Sequence, residues 1–427
     1  MKKYYKLGKK ELFPICRSLT GNGVKKTLKI IKKTFPSLKI KKIRSGTKVF
    51  DWKIPYEWNV KNAYVIDKFN KKIIDFKNNN LHLVGYSVPI NKTLKKTQFE
   101  KKLFFLKNQP NAIPYVTSYY KKNWGFCITF NQKNLISKNY SHKDNFKILI
   151  DSKFNKNGFL NYAELFLKGK SSQEILISTY ICHPSMANNE LSGIMVSMAL
   201  IDYFKKKKLE KSLRFLFIPE TIGSITYLSK NLDNMKKNII GGYNLSCLGD
   251  ERKHSCMFSK YQNSPSDKAL IKAYKKLKIK KYKIYSFLER GSDERQYNSP
   301  GIDLPISSIF RSKYGTFPEY HTSLDNFNLV TLKGLKGGYE VAKKAIEILL
   351  KESIPKVTTL CEPHMTKYDL YPTISSKKID RLTENYMNFL QYADGKNTLE
   401  DISNRIKLSV TKVKKIYNIL LRKKLII

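Results

Sequence analysis

The sequence has no long apolar run of the kind that crosses a membrane, because no stretch of about 18 apolar residues occurs. Its first residues, MKKYYKLGKKELFPICRSLTG, are broken by charges and carry no small-residue cleavage site of a signal peptide. The 6 cysteines are scattered along the chain and none forms a CxxC pair. We therefore expect a cytoplasmic protein with reduced thiols and no membrane insertion.

Acidic residues are also scarce. The chain has 34 Asp and Glu against 81 Lys and Arg, which gives a formal net charge of +47. Such an excess is typical of proteins that bind nucleic acid or an anionic surface. Here the lysines are spread along the whole chain beside abundant Ile and Asn, which indicates a compositional bias rather than one basic face. The charge alone therefore does not predict a nucleic-acid-binding protein.

What is present indicates a folded α/β protein. The 427 residues are 41% hydrophobic and 12% aromatic, enough for two or three domains with a sizeable core. From about residue 145, apolar strand-like runs such as EILISTYICHP and LRFLFIPETIG alternate with helical patterns such as LSGIMVSMALIDYFKKKK. This alternation predicts a mainly parallel central sheet with flanking helices.

Two further segments do not show this alternation of strand and helix patterns. Between about 40 and 130, short runs rich in Val, Ile, Trp, Tyr and Phe are separated by Asn, Gly and Pro, which predicts a small β-rich module. After a connector, helix–turn–helix patterns and an apolar end resemble a winged helix, for which protein contact is favoured over DNA contact. The predicted domains are an α/β domain at 1–40 and 131–355, a β-rich module at 41–130 and a winged-helix-like domain at 362–427.

Polar residues follow the strand-like runs. His183, Glu220 and Asp250 each come after such a run, and the carboxyl ends of parallel strands meet at one edge of a sheet. Histidine is the commonest metal ligand, and polar loops add His321 and Glu190. A carboxylate near a zinc-bound water can take its proton, which suits Glu220 as a general base. Taken singly, Asp250 could cap a turn, Glu190 could favour a helix N-terminus, and His321 could lie in a surface loop.

Four motifs, ELFPICRSLTGNGV, ICHPSMANNELSG, GSDERQYNSPGIDLP and YGTFPEYHTSLDN, make the chain from Glu11 to Lys351 resemble the M28-type zinc aminopeptidase-like proteins. More closely, it resembles the subgroup found with bacterial polysaccharide-biosynthesis genes. The resemblance implies a peptidase-like domain interrupted by a small β module and followed by a C-terminal winged helix.

The resemblance also implies roles for individual residues. His183, Asp250 and His321 match zinc ligands, and Glu220 matches the general base. Asp293 matches a position that supports the site without binding metal.

Two positions depart from the M28 pattern. Asn189 stands where those enzymes have an aspartate that bridges two zinc ions, and Thr221 stands where they have a second glutamate. A neutral amide is a poor bridge between two dications. We therefore expect one zinc ion, held by His183 and Asp250 with Glu190 or His321 as a third ligand.

A third group of residues is predicted on the substrate side of the site. Arginines and a tyrosine near the same edge would bind a carboxylate, a phosphate or an oxyanion, although surface charge is the plainer interpretation of each. With the asparagine and the supporting aspartate, this group comprises Asn189, Asp293, Arg290, Arg295, Arg311 and Tyr314.

The leading hypothesis is a zinc-dependent hydrolase of an amide or peptide bond, with a peptide or an amide-bearing small molecule as substrate. The resemblance ties it to cell-surface polysaccharide biosynthesis. The alternative is a non-catalytic, peptidase-like binding or scaffold protein whose winged helix docks a partner. A DNA-binding regulator and a homo-oligomer also stay open.

Overall fold

The computed structural model describes residues 1–372 and 381–427, and within these ranges it contains sixteen strands and twelve α-helices. The strands are β1 (Lys39–Arg44), β2 (Lys48–Val49), β3 (Trp52–Lys53), β4 (Glu57–Ile66), β5 (Lys72–Asp75), β6 (Ile90–Lys95), β7 (Leu103–Phe104), β8 (Phe126–Cys127), β9 (Asn145–Asn155), β10 (Phe159–Leu167), β11 (Glu174–Tyr180), β12 (Ser212–Ile218), β13 (Ile239–Leu245), β14 (Ser255–Met257), β15 (Lys283–Tyr285) and β16 (Ile306–Phe310).

The helices are α1 (Lys2–Leu7), α2 (Asn22–Thr34), α3 (Lys96–Glu100), α4 (Phe130–Asn139), α5 (Ser192–Phe204), α6 (Ile222–Asn238), α7 (Pro265–Lys276), α8 (Glu294–Tyr297), α9 (Leu332–Lys351), α10 (Arg381–Tyr392), α11 (Leu399–Arg405) and α12 (Val410–Arg422). Short π-helical turns lie at Gly8–Leu12 and Ala187–Leu191, and 3₁₀ turns lie at Asn80–His82, Phe287–Glu289 and Met365–Tyr368.

A large mixed sheet forms the centre of the molecule, with strand order β1-β10-β12-β11-β13-β16-β14-β15. Its middle strands, from β12 to β16, are parallel, whereas β1, β10 and β14 join antiparallel neighbours. All residues of β11, β12, β13 and β16 are buried, as expected of parallel strands covered on both faces. The predicted α/β class with a mainly parallel central sheet is confirmed.

Helices cover both faces of this sheet. Helices α5, α7 and α9 pack with α1 and α2 around one apolar core, to which Leu28, Leu200, Leu270 and Leu349 contribute. On the opposite face α6 packs in a second core that continues into a smaller sheet. Helix α5 is buried on almost every side, so its position relative to the strand ends is tightly constrained.

The smaller sheet has the order β5-β4-β9-β6 and is antiparallel. Its longest ladder joins β4 to β9, from Glu57↔Asn155 to Ile66↔Lys147. Strand β9 comes after the predicted module at 41–130, while β1 belongs to the large sheet. The chain therefore leaves the large sheet after β1 and returns to it at β10.

The C-terminal unit is built from α10, α11 and α12 around its own apolar core, which includes Phe389, Ile402 and Leu420. The chain end closes this unit, since Val357 pairs with Ile426 in an isolated β-bridge. Ion pairs join it to α7 of the large domain, with Lys268 Nζ 2.7 Å from Asp401 and Lys272 Nζ 2.9 Å from Glu400.

Two sequence-based expectations can be compared with the structure directly. All six cysteines are free thiols. Across 1–372 and 381–427, no helix combines the length and apolar character needed to span a bilayer.

Candidate active site

Four neighbouring parallel strands end at one edge of the large sheet. β12, β11, β13 and β16 lie side by side and run in the same direction, so the loops that follow them leave from the same edge. These loops carry His183, Glu220, Asp250 and Arg311. The loop between β16 and α9 brings His321 to this edge, with its ring centroid 5.5 Å from that of His183.

His183 is buried at the centre of this edge, and its two ring nitrogens face different carboxylates. Nδ1 lies 3.2 Å from Glu190 Oε2, and Nε2 lies 3.7 Å from Glu220 Oε2. Burial by itself lowers the pKa of His183. Hydrogen bonding to Cys182 and Glu190 and the charge of Glu220 outweigh that effect, so the pKa is raised well above its ordinary value.

His321 has one unengaged ring nitrogen beside His183, among the residues that the structure describes. Its backbone is left-handed, with φ of 56°, and its ring stacks on Tyr320 with centroids 3.9 Å apart. Nε2 is buried and has no hydrogen-bond partner among the described residues. Burial and the neighbouring His183 lower the pKa of His321 to about 3. This imidazole is therefore neutral at ordinary pH, which is the form that binds a metal.

Tyr115, in the segment between β7 and β8, lies beside His183 and His321 and forms one side of the site. The backbone N–H of Tyr115 donates to the carbonyl of His321 at 2.8 Å. Its ring centroid lies 5.4 Å from that of His183 and 5.1 Å from that of His321. Its hydroxyl shares a hydrogen bond of 2.8 Å with that of Tyr119.

Glu220 is oriented by its neighbours. The Ser292 hydroxyl donates to Oε1 at 2.6 Å, which leaves Oε2 on the side of His183. The backbone N–H of Glu220 donates to Cys182 Sγ at 3.2 Å. Burial raises the pKa of Glu220. A carboxylate with one oxygen held by a hydrogen bond and a raised pKa is suited to take a proton from a reacting group.

Asp293 supports the turn that carries Glu220. Its Oδ1 accepts the backbone N–H of Thr221 at 2.7 Å and the Ser224 hydroxyl at 2.8 Å. Burial and the charge of Glu220 raise the pKa of Asp293 to about 7. Thr221 has φ of 62°, which a β-branched residue rarely adopts. Asp293 thus holds a strained turn in place.

The side chain of Asn189, in the π-helical turn Ala187–Leu191, makes its contacts to neutral groups. Its Oδ1 accepts the Tyr180 hydroxyl at 2.8 Å, and burial raises the pKa of that phenol well above its ordinary value. Its backbone N–H donates to Asp325 Oδ2 at 2.9 Å. Asn189 Nδ2 is buried and unpartnered within the described chain.

Cys182, His183 and Glu190 bring three potential ligand atoms within 4.8 Å of one another. Two of the three are already engaged. Arg17 Nε and the backbone N–H of His183 donate to the two oxygens of Glu190. Burial raises the pKa of Cys182 to about 11, so its sulfur is a thiol rather than a thiolate. Thiol protonation and the Arg17 contact leave His183, in its deprotonated form, as the group best able to bind a metal here.

Asp250, a predicted zinc ligand, makes its hydrogen bonds to other groups. Its carboxylate accepts the backbone N–H and hydroxyl of Ser312 at 3.0 and 2.8 Å, Asn188 Nδ2 at 3.1 Å and the backbone N–H of Arg252 at 3.0 Å. Four donors fill most of the acceptor capacity of a carboxylate. Asp250 therefore holds loops together in this structure.

Of the predicted substrate-side cations, Arg295 contacts the residue next to Glu220. Its Nη2 donates to Thr221 Oγ1 at 2.7 Å, and its Nε is buried without a partner in the described chain. The other three predicted residues make contacts elsewhere: Arg290 lies over the ring of Phe287, Arg311 Nε donates to the Asp250 carbonyl, and the Tyr314 hydroxyl donates to Glu294.

Sequence reasoning missed several residues of this site, namely Arg17, Tyr115, Tyr180 and Ser292. Arg17 carried one usable signal, since it is a single charge within the otherwise uncharged stretch LFPICRSLTG. Its partner Glu190 is 173 positions away, which no local pattern reveals.

Comparisons with known proteins identify the family and the fold of the chain. Residues 5–352 match a family model described as a domain of unknown function, DUF4910, and residues 353–427 match a winged helix-turn-helix model. The chain belongs to the DUF4910 family. A Clostridium acetobutylicum relative of this DUF4910 chain is named a polysaccharide biosynthesis protein with aminopeptidase-like domain. It is 41% identical over 406 residues, which cover 95% of this chain and 91% of the relative.

Solved structures extend the comparison. A crystal structure of a Clostridium acetobutylicum protein described as a peptidase is 39% identical, with a TM-score of 0.79, and the match covers 100% of the DUF4910 chain and 96% of the other. The zinc aminopeptidase BSAP of Bacillus subtilis is 13% identical, with a TM-score of 0.60 and coverage of 81% and 93%, a likeness of fold alone. The predicted M28-type resemblance and the C-terminal winged helix are confirmed.

Proposed function

We propose that this chain hydrolyses an amide bond, in a peptide or an amide-bearing small molecule, with one zinc ion as cofactor. The observation that carries the proposal is the pairing of the buried His183 with the partly buried His321, whose Nε2 atom is buried without a hydrogen-bond partner among the described residues. A buried polar atom without a partner costs free energy unless a ligand satisfies it.

The groups available fit one zinc ion better than two. His183 and His321 would hold it through Nε2, and Glu220 lies on the same side of His183 as the base and is not counted as a ligand. Imidazole nitrogens are common zinc ligands, and catalytic zinc keeps a position open for water or substrate. Asn189 and Thr221 supply no negative charge for a second ion. Zinc, when bound, lowers the pKa of a water toward ~7 and polarises a carbonyl.

The other steps of the proposed reaction are assigned to side chains of this chain. Glu220 Oε2 takes a proton from the attacking water and delivers it to the leaving amine, while Ser292 keeps Oε1 occupied. Arg295, whose Nε has no partner among the residues that the structure describes, binds a substrate carboxylate or the oxyanion that develops. Asp293 keeps the Glu220 turn in its strained conformation.

The wider setting is part of the same proposal. We assign the reaction to polysaccharide biosynthesis because the 41% identical relative carries that name. A cytoplasmic location suits six free thiols. The winged helix is proposed to contact a protein partner rather than DNA.

Metal analysis and turnover test the proposal together. The purified chain should carry about one zinc and cleave aminoacyl 4-nitroanilides, and His321→Ala should lose both properties. Glu220→Gln should keep the zinc and lose about 10²–10⁴-fold in turnover. His142→Ala, at an exposed histidine, is the matched control and should keep both. Undiminished turnover in Glu220→Gln, or zinc content unaffected by His321→Ala, would refute the assigned roles.

A second candidate is a binding protein without hydrolysis, which the neutral side chains of Asn189 and Thr221 favour. Asn189 Oδ1 accepts the Tyr180 hydroxyl and Thr221 Oγ1 accepts Arg295 Nη2, so neither side chain offers an anion to a second metal. Under this hypothesis calorimetry with dipeptide amides detects binding that EDTA leaves unchanged, and no 4-nitroaniline is released. Loss of binding on metal removal would argue against it.

A further inference from the structure

A buried ion pair lies directly behind His183, outside the groups assigned to catalysis. The side chains of Arg17 and Glu190 are both fully buried. Arg17 Nε donates to Glu190 Oε1, and the backbone N–H of His183 donates to Glu190 Oε2. The same Oε2 is 3.2 Å from His183 Nδ1. One carboxylate thus contacts both the backbone and the ring of His183.

Arg17 is held by more than this carboxylate. Its Nε also donates to the His183 carbonyl at 3.0 Å, and its Nη1 donates to the Leu12 carbonyl at 2.7 Å. Nearby, the Ser185 hydroxyl donates to the Phe13 carbonyl at 2.9 Å. The N-terminal segment is therefore attached to the loop of His183 at His183 itself and at Ser185.

We propose that Arg17 and Glu190 act as a positioning pair that fixes the His183 ring, with Nδ1 toward Glu190 and Nε2 toward Glu220 and His321. A carboxylate that accepts the second N–H of a ligating histidine fixes its orientation and raises its basicity. Loss of such a contact typically costs 10–100-fold in metal affinity. The effect on zinc rests on the proposed function, whereas the ring orientation does not.

The arginine makes this arrangement possible. A carboxylate that is removed from water and left without a partner is strongly unfavourable, so Glu190 needs a compensating cation. Arg17 supplies that charge at Oε1, the oxygen that is not paired with the His183 ring. Glu190 itself is poorly placed as a ligand, because both of its oxygens already accept hydrogen bonds and it faces the nitrogen of His183 that points away from Glu220.

Three variants separate positioning from plain stability. Arg17→Met leaves a buried anion and should unfold at markedly lower urea concentration. Glu190→Gln sets an amide N–H against Arg17 or against His183 and should also destabilise. The double variant Arg17→Met with Glu190→Gln is electrically neutral, so its urea midpoint should return most of the way to that of the parent.

Zinc affinity distinguishes a positioning role of this pair from a purely structural one. In chelator competition the double variant should bind zinc about 10–100-fold more weakly than the parent despite its recovered stability. The matched control is Arg214→Met with Glu174→Gln, another buried pair, remote from the histidines, which should keep parental affinity. Parental zinc affinity in the stable double variant at Arg17 and Glu190 would overturn the proposal.

An imidazole signal gives a readout that needs no metal. With ¹⁵N-labelled histidine, the metal-free parent should show a slowly exchanging Nδ1–H proton that disappears in His183→Gln and in Glu190→Ala, while Ser197→Ala keeps it. Absence of that proton in the folded parent would overturn the positioning role. If the parent shows this proton but takes up no zinc, the proposed function fails and the positioning of His183 stands.

Discussion

Replacing Gly193 by alanine should displace the helix that carries the turn behind His183. Gly193 is in the first turn of α5, directly after the π-helical turn Ala187–Leu191. A Cβ atom there would lie 2.3 Å from Thr179 Oγ1 and 2.4 Å from the Leu245 carbonyl oxygen, where real Cβ contacts are essentially never under 3.0 Å. The helix must therefore retreat by at least 0.7 Å, the difference between 3.0 and 2.3 Å.

The atoms that a Cβ at position 193 would meet cannot move aside easily. Thr179 and Leu245 end neighbouring central strands, and the Thr179 hydroxyl donates to that same carbonyl at 2.9 Å. Overpacking of this kind costs about 1–3 kcal/mol. Because α5 continues directly from Asn189 and Glu190, its retreat should also loosen the contact between Glu190 and His183 and weaken zinc binding.

Equilibrium urea unfolding measures the first effect and chelator competition the second. Ser197→Ala is a matched control in the same helix, since its buried hydroxyl has no partner in the described chain and its loss should change the free energy of unfolding by less than about 0.5 kcal/mol. If Gly193→Ala were as stable as the parent within that margin, the argument from close packing would be refuted.

Two other predictions concern stability. Arg214 is bonded to Glu174 at 2.7 and 3.0 Å and to Glu164 at 2.8 Å, so Arg214→Met should lower the free energy of unfolding by about 3–5 kcal/mol in urea titrations, and a loss under 1 kcal/mol would contradict this. Burial lowers the pKa of Lys211 to about 8 from 10.5. Between these pH values the unfolded chain binds a proton that the folded chain lacks, so this residue makes stability rise with pH by up to about 3 kcal/mol. Lys211→Met should be flatter than the parent across this window, and an identical pH profile would argue against it.

The central sheet was accessible from sequence because its strands are long apolar runs. EILISTY and LRFLFI are buried throughout as β11 and β12, and the following helical patterns form α5 and α6. The pairing of β9 was not accessible. FKILID reads as a strand of the α/β rhythm, yet it pairs with β4, some ninety positions earlier, in the smaller sheet. Apolar alternation identifies a strand but not its distant partner.

Part of the candidate site could likewise be predicted from the sequence, and part of it could not. His183 and Glu220 follow strands, so topology alone brings them to one edge. The engagement of Asp250 by Ser312 and of Glu190 by Arg17 depends on loops that meet only in the folded chain. A carboxylate that the sequence suggests as a metal ligand can be fully hydrogen-bonded in the folded chain. Residue type and spacing do not predict those distant hydrogen-bond partners.

The most direct test is a crystal structure of the chain grown with zinc, with the metal located by its anomalous scattering. A single peak about 2.0–2.1 Å from Nε2 of both His183 and His321 is the predicted result. A peak at Asp250, a peak between Cys182 and Glu190, or no peak at all would contradict the proposed zinc site.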